Sequence, residues 1–269
     1  MTSSACCFGI NTYPDSPLRG CVNDAIDIAT VLHKDYSWPM GRVRLCVDER
    51  ATKRAMYDRI AWALSNTGKG EVAVISNSSH GAQVARRNGY YEPDGLDEII
   101  CPADFSWAKP ETWLTDNNID QLIRSRKNPG ATLVIISDSC HSDDLLRDEL
   151  NPEVTLRRLI PPVDLAWRKA GLPVNSVPKR VWLRGEFVPG VVLLSGCESD
   201  DTSADATISG RPNGAFTWAL LGVLREYPTE SLGRAMELVR TCLGNLGFRQ
   251  KPQASGDTNI LDRPFPKFT

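Results

Sequence analysis

Residues 132–142 read Thr-Leu-Val-Ile-Ile-Ser-Asp-Ser-Cys-His-Ser, a nearly unbroken apolar run that stops abruptly in small and polar residues. Nothing alternates within Thr132–Ser137, which suits a strand buried on both faces. Four other runs share this character: Ala5–Ile10, Val43–Val47, Val72–Ser76 and Val191–Ser195. Segments with helical spacing lie between them. Asn23–Lys34 places Ala25, Ile28, Ala29 and Leu32 on one stripe. Thr52–Leu64 does the same with Met56, Ile60 and Leu64, and Thr52 is placed to cap its start. Thr115–Arg126, Gly214–Arg225 and Ser231–Leu246 read as three further helices. This alternation predicts an α/β fold: a mostly parallel central sheet flanked by helices on both faces, with right-handed crossovers.

In such a sheet the chemistry gathers beyond the carboxyl ends of the strands. The segments that follow two of the runs are Asn77-Ser-Ser-His-Gly81 and Asp138-Ser-Cys-His-Ser142. His80 and Cys140 are thus delivered to one edge. A nucleophilic cysteine needs a base, access to substrate, and donors for the developing oxyanion. His80 and Cys140 supply the reactive pair, and the backbone N–H groups of Gly81 and Cys140 supply the donors. Gly81 also lets the main chain approach a carbonyl with no side chain in the way. Read alone, the same two residues also fit a packed core, where cysteine is common.

Asp138 stands two residues before Cys140 and points to the same side of an extended chain. Asp24 opens the first helix near the same edge. Two carboxylates there would hold a positive side chain and repel an acidic one. On local grounds alone, Asp24 reads more simply as a helix cap.

The 269 residues carry 31 basic and 33 acidic side chains, a net charge of -2, and 41% hydrophobic residues. That balance describes a folded chain and argues against bulk binding to nucleic acid or anionic membrane. No apolar run approaches the roughly 18 residues that span a bilayer. The opening MTSSACCFGI lacks the basic segment of a secretory signal, so a cytoplasmic location is expected. The eight cysteines include no C-x-x-C pair and the chain has only three histidines, which speaks for free thiols over a zinc cluster. Leu145–Glu186 breaks the periodic pattern apart from a short helix near Asp164–Ala170, and a connection of that length is usually functional or mobile.

Several segments carry a family likeness in order along the chain. They are Phe8-Gly-Ile-Asn-Thr-Tyr13, Gly20-Cys-Val-Asn-Asp-Ala25, Ser79-His-Gly81 followed by Asp94-Gly-Leu-Asp-Glu98, and Asp138-Ser-Cys-His-Ser142. Ser195-Gly-Cys197, Thr202-Ser-Ala-Asp205, Gly214-Ala-Phe-Thr-Trp218 and Gln250-Lys-Pro-Gln-Ala-Ser255 complete the set. On these segments the chain resembles the metacaspase and orthocaspase branch of the caspase-like cysteine peptidases.

The resemblance implies one caspase-like domain over 1–269, with a large-subunit-like part (1–146), a linker (147–186) and a small-subunit-like part (187–269). It makes Cys140 the nucleophile, His80 the general acid/base, and Asp24 and Asp138 the binders of Arg or Lys before the scissile bond. A further family aspartate falls at Arg147, leaving Asp148 next to it as the substitute. Asn77-Ser78-Ser79 and Asp143 depart from the family's Tyr-Ser-Gly and Gly. His141, beside the nucleophile, reads as structural.

The linker carries Arg147, Arg157, Arg158, Arg168, Lys169, Lys179, Arg180 and Arg184, so it offers sites for self-processing, or a basic strap for an acidic cleft. The implied partners are protein or peptide substrates and an activating or regulatory protein. No cofactor is needed for the chemistry. Calcium activates many relatives, and Thr115-Asp116-Asn117 resembles their acidic segment. Asp116 is therefore a candidate calcium ligand, although a helix N-cap is its simpler role. The competing expectations are a caspase-like regulatory module without turnover and a zymogen awaiting a partner.

Overall fold

The computed structural model describes residues 3–85, 96–140, 154–165, 188–197 and 203–266. In chain order the elements begin with β1 (Ser4–Gly9), α1 (Cys21–Lys34), β2 (Val43–Val47), α2 (Lys53–Asn66) and β3 (Val72–Ser78). There follow β4 (Gly81–Ala85), β5 (Leu96–Ile100), β6 (Leu114–Thr115), α3 (Asp116–Arg126), β7 (Thr132–Asp138) and β8 (Val154–Leu156). The last are β9 (Val191–Ser195), β10 (Ala204–Ile208), β11 (Arg211–Gly214), α4 (Ala215–Glu226), α5 (Leu232–Asn245), β12 (Gln253–Gly256) and α6 (Thr258–Leu261).

Six strands form the central sheet in the order β12-β9-β7-β3-β1-β2, parallel except at the β12 edge. Successive side chains alternate faces, so each buried strand feeds two cores. Phe8, Ile75, Leu133, Ile135 and Leu193 face Met56 and Ile60 of α2 and Ile119 and Ile123 of α3. Cys7, Val74, Val134, Ile136 and Leu194 face Ile28 of α1, Phe216 of α4 and Met236 of α5. The unbroken apolar runs are explained by burial on both sides. The mostly parallel sheet with helices on both faces is therefore the observed architecture, and its five main strands lie where the sequence puts them. All eight cysteines are unpaired thiols.

Two small antiparallel sheets, β4-β5-β6 and β11-β10-β8, were not legible in the periodicity. The β10–β11 turn has a signal in hindsight: Ser209 and Gly210 both take positive φ, 52° and 80°, as a two-residue hairpin turn of the primed kind requires. Of the helix expected near Asp164–Ala170, only Asp164 and Leu165 are among the described residues, and both are helical.

Two helix starts differ from expectation. Asp24 does not cap α1: the N-cap is Gly20, and the side chain of Asn11 accepts from the Cys21 amide at 2.9 Å. Asp24 lies deeper, in the first turn, where its carboxylate is free to face the sheet edge. Gly9 sets how close that turn comes. A Cβ on Gly9 would lie 2.2 Å from the Cys21 carbonyl oxygen, so only glycine lets α1 settle onto β1 at this distance. Nor does Asp116 cap α3. Thr115 does, accepting from the Asn118 amide, with the Asn118 side chain accepting in return from the Thr115 amide. Thr52 caps α2 as expected. No helix of the described residues is long and apolar enough to cross a membrane.

Candidate active site

β3 and β7 are neighbours, and their last paired residues are Ser78 and Asp138. His80 and Cys140 therefore stand two residues past the same rung, at the carboxyl edge of the sheet. Both side chains are buried.

His80 is fixed from several sides. Its Nε2 lies 2.7 Å from the Ser16 carbonyl oxygen, which can only accept, so Nε2 carries the proton and Nδ1 is left as a bare acceptor. Nδ1 has no hydrogen-bond partner among the described residues. The Tyr13 ring meets the imidazole edge-on with centroids 4.6 Å apart. Its hydroxyl accepts from the His80 amide at 3.3 Å and donates to the Cys101 carbonyl at 2.7 Å. Burial lowers the imidazole pKa to about 4; the Ser16 carbonyl pulls it back in part, and the charge of Arg157 lowers it further. The ring is neutral near pH 7.

The Cys140 thiol donates to the Ser203 carbonyl oxygen at 3.3 Å, and its sulfur accepts from the Ser203 amide. No hydrogen bond joins the thiol to His80 among the described residues.

Arg157, from the expected linker, occupies the centre of this edge. Its carbonyl oxygen accepts from the Gly81 amide at 2.9 Å and from the Cys140 amide at 3.1 Å. Those are the two amides expected to stabilise an oxyanion. The Arg157 amide donates to the Ser203 carbonyl at 3.2 Å, and β8 just before it pairs antiparallel with β10. On the other side, Leu159 donates to the Gly81 carbonyl at 2.9 Å. The chain thus passes through the edge as an added strand whose central carbonyl is held by two converging donors.

The Arg157 side chain is fully buried and runs between acidic groups. One terminal nitrogen, Nη2, lies 2.7 Å from Asp24 Oδ2 and 3.9 Å from Asp205 Oδ1. The other, Nη1, lies 3.3 Å from Asp138 Oδ2, 3.1 Å from the Ser78 hydroxyl and 3.2 Å from the Asp138 carbonyl oxygen. The carboxylates are themselves braced. Asp24 Oδ1 accepts from the Gly214 amide at 2.9 Å and from Asn213 at 3.1 Å. Asp138 Oδ2 accepts from the Thr217 hydroxyl and amide at 2.6 Å and 3.0 Å. Its Oδ1 accepts from the Ser203 hydroxyl. Asp205 Oδ2 accepts from the Arg19 amide at 2.7 Å. Burial raises the Asp24 pKa, Arg157 opposes the rise, and the charge of Asp138 adds to it.

The fold therefore brings His80, Gly81, Cys140, Asp24 and Asp138 together at one edge. Asp148, His141 and Asp143 lie outside the described residues. Asp205, Ser78, Ser203, Gly214 and Thr217 join the site without having been assigned to it from sequence. Ser203, Asp205, Gly214 and Thr217 sit within quoted family segments, and that was the one signal available for them.

Asp116 stands elsewhere. It is buried, and desolvation, then Glu98 and Asp97, push its carboxyl well above the usual range. The Asn117 side chain donates to Asp97 at 3.1 Å. Among the described residues, no three His, Cys, Asp or Glu side chains are grouped as they would be to hold a metal ion.

The profile of the Caspase domain family matches residues 2–261. Metacaspase-1A of Aspergillus oryzae is 27% identical over 291 residues, covering 94% of this chain and 67% of that protein. Metacaspase-1A of Neurospora crassa and Metacaspase-1 of Kluyveromyces lactis are each 27% identical and are covered to 62% and 66% of their lengths. The chain thus spans about two thirds of these relatives. A crystal structure of a Geobacter sulfurreducens protein has the same fold, with TM-score 0.71 at 24% identity and complete coverage of both chains.

Proposed function

The chain belongs to the caspase domain family, and from that premise we propose that it is a cysteine endopeptidase that cuts after Arg or Lys, with Cys140 as nucleophile and His80 as general acid/base. One observation carries the reading. A basic side chain, Arg157, lies between the carboxylates of Asp24 and Asp138, while its own carbonyl oxygen rests on the Gly81 and Cys140 amides. That is the arrangement a substrate residue before a scissile bond needs.

The same arrangement makes the Arg157–Arg158 bond the self-processing bond of the linker. Thiol and imidazole act in sequence. The Cys140 thiol leaves Ser203 and passes its proton to His80 Nδ1, and sulfur attacks the Arg157 carbonyl carbon. Charge then builds on the oxygen already held by the two amides. The carbon–nitrogen bond to Arg158 breaks as His80 returns the proton to the departing amine, leaving a thioester. Water, deprotonated by the same imidazole, releases the Arg157 carboxylate and restores the thiol. Ser16 keeps the imidazole in the required tautomer throughout.

With Arg157 in place and the thiol bonded to Ser203, the uncut chain is latent toward other proteins. This favours a zymogen over a module that has lost turnover. Wild-type chain and Cys140→Ala are incubated with and without calcium, and the fragments are identified by mass spectrometry. The expected result is a break after Arg157 in wild type alone. An intact wild-type chain that also fails to cleave basic peptides would sink the proposal, and cleavage after Asp would overturn the pocket assignment.

A further inference from the structure

We infer that the site also recognises its substrate on the leaving side of the scissile bond, taking an apolar residue with a free amide N–H at the second position after the cut. The inference rests on the peptidase reading above for its place in turnover, but its geometry stands on residues 157–160 themselves.

Gly81 grips the chain on both sides of the Arg157–Arg158 bond. Its amide donates to the Arg157 carbonyl at 2.9 Å, and its own carbonyl oxygen accepts from the Leu159 amide at 2.9 Å. Those two bonds make Gly81 and Arg158 opposite partners in a parallel bridge. Ahead of the bond, the same chain runs antiparallel to β10, with Leu156 opposite Ala204. The segment therefore passes from one supporting strand to another, and the bond to be broken lies where they meet. Support from β10 alone would leave the departing side unheld. Gly81 is buried, so a substrate with no N–H at the Leu159 position strands its carbonyl oxygen away from water. Proline there has no such donor.

Burial separates the side chains that follow the bond. Leu159 is half-buried and packs against the core cluster that contains Tyr13 and Val84. Ile160 is just as apolar, yet it is 55% exposed. The site thus takes apolar area from the second residue after the bond and leaves the third in water. Main-chain bonding supplies the register and the half-buried contact supplies the side-chain preference, which is how an added strand is recognised.

The test varies the substrate, so no variant has to fold. The full wild-type chain is given pairs of competing peptides, and the fragments are counted by mass spectrometry. Competition cancels any block by the chain's own segment, because both peptides meet the same free enzyme. The reference peptide, Val-Thr-Leu-Arg-Ala-Leu-Ile, has one basic residue and so one bond to cut. N-methylation of the leucine that follows alanine should lower kcat/KM about tenfold, by removing the donor to Gly81. Replacing that leucine by alanine should lower it about fivefold. Replacing the isoleucine by alanine should leave it within about twofold, since that side chain stays in water. Equal kcat/KM for all four peptides overturns the inference while leaving the peptidase reading intact. If no peptide is cut, the peptidase reading fails and binding decides the inference. Fluorescent reference and N-methyl peptides are then titrated by anisotropy into the full chain carrying Cys140→Ala, Arg157→Ala and Leu159→Ala, whose own segment has lost both anchors. The reference peptide should bind about tenfold tighter. Equal affinity, or no binding by either peptide, overturns the inference.

Discussion

The Arg157 guanidinium lies 2.7 Å from the Asp24 carboxylate, with both side chains fully buried and 133 residues apart in the chain. Two opposite charges in that setting offset each other's desolvation, and without Asp24 the guanidinium keeps Asp138 and Asp205 but loses its nearest carboxylate. Asp24→Asn keeps the shape and removes the charge. On the proposed peptidase reading it should lower kcat/KM of the processed chain for arginine peptides by about 100-fold, the cost of about 3 kcal/mol expected when a buried cation loses its nearest charged partner. Steady-state kinetics on Asp24→Asn beside Asp138→Asn check this. A loss below tenfold in both variants would separate these carboxylates from substrate recognition.

Arg157 also lies against Cys140, accepting from its amide at 3.1 Å. In a His80→Ala background the thiol survives and the proposed self-cleavage loses its base. Adding Arg157→Ala should strip the strap of its anchor, and Cys140 should then react with iodoacetamide at least tenfold faster. The rates are read by mass spectrometry of the Cys140 peptide. Equal rates would mean that something other than Arg157 keeps the thiol covered.

The imidazole gives a pH dependence with a definite sign. His80 in the folded chain titrates at about 4, below its ordinary 6.5, because burial penalises its charged form. Its contribution to stability is therefore fully present above pH 6.5 and is lost as pH falls toward 4. The loss amounts to about 3 kcal/mol. Denaturant unfolding of Cys140→Ala across that range should show it, and the chain carrying His80→Gln as well should show a shallower slope by about one proton. Parallel slopes would place the acid sensitivity elsewhere.

Tyr13 positions His80 through the backbone. Tyr13→Phe leaves the His80 amide without its acceptor and removes the donor to the Cys101 carbonyl. The expected cost is about 1–3 kcal/mol of stability. A positioning role also predicts a fall in kcat with KM for arginine peptides nearly unchanged. A stability loss with unaltered kcat would reduce Tyr13 to a packing residue.

The local sequence determined the parts that depend on short-range pattern. Unbroken apolar runs become strands with helices on both faces because alternate side chains must fill two cores, as Phe8 and Cys7 do on opposite sides of β1. The ends of β3 and β7 then place His80 and Cys140 at one edge, since parallel neighbours in register finish together. Tertiary structure decided what local pattern leaves open. Asp24 looked like a cap from its position near a helix start, but Asn11 had taken that role from across a loop. Asp116 yielded to Thr115 in the same way. Arg157 was one basic residue among many in the linker. Its distinction comes from chain returning 133 residues later to lie across Asp24, a pairing set by long-range packing and charge that no local periodicity encodes.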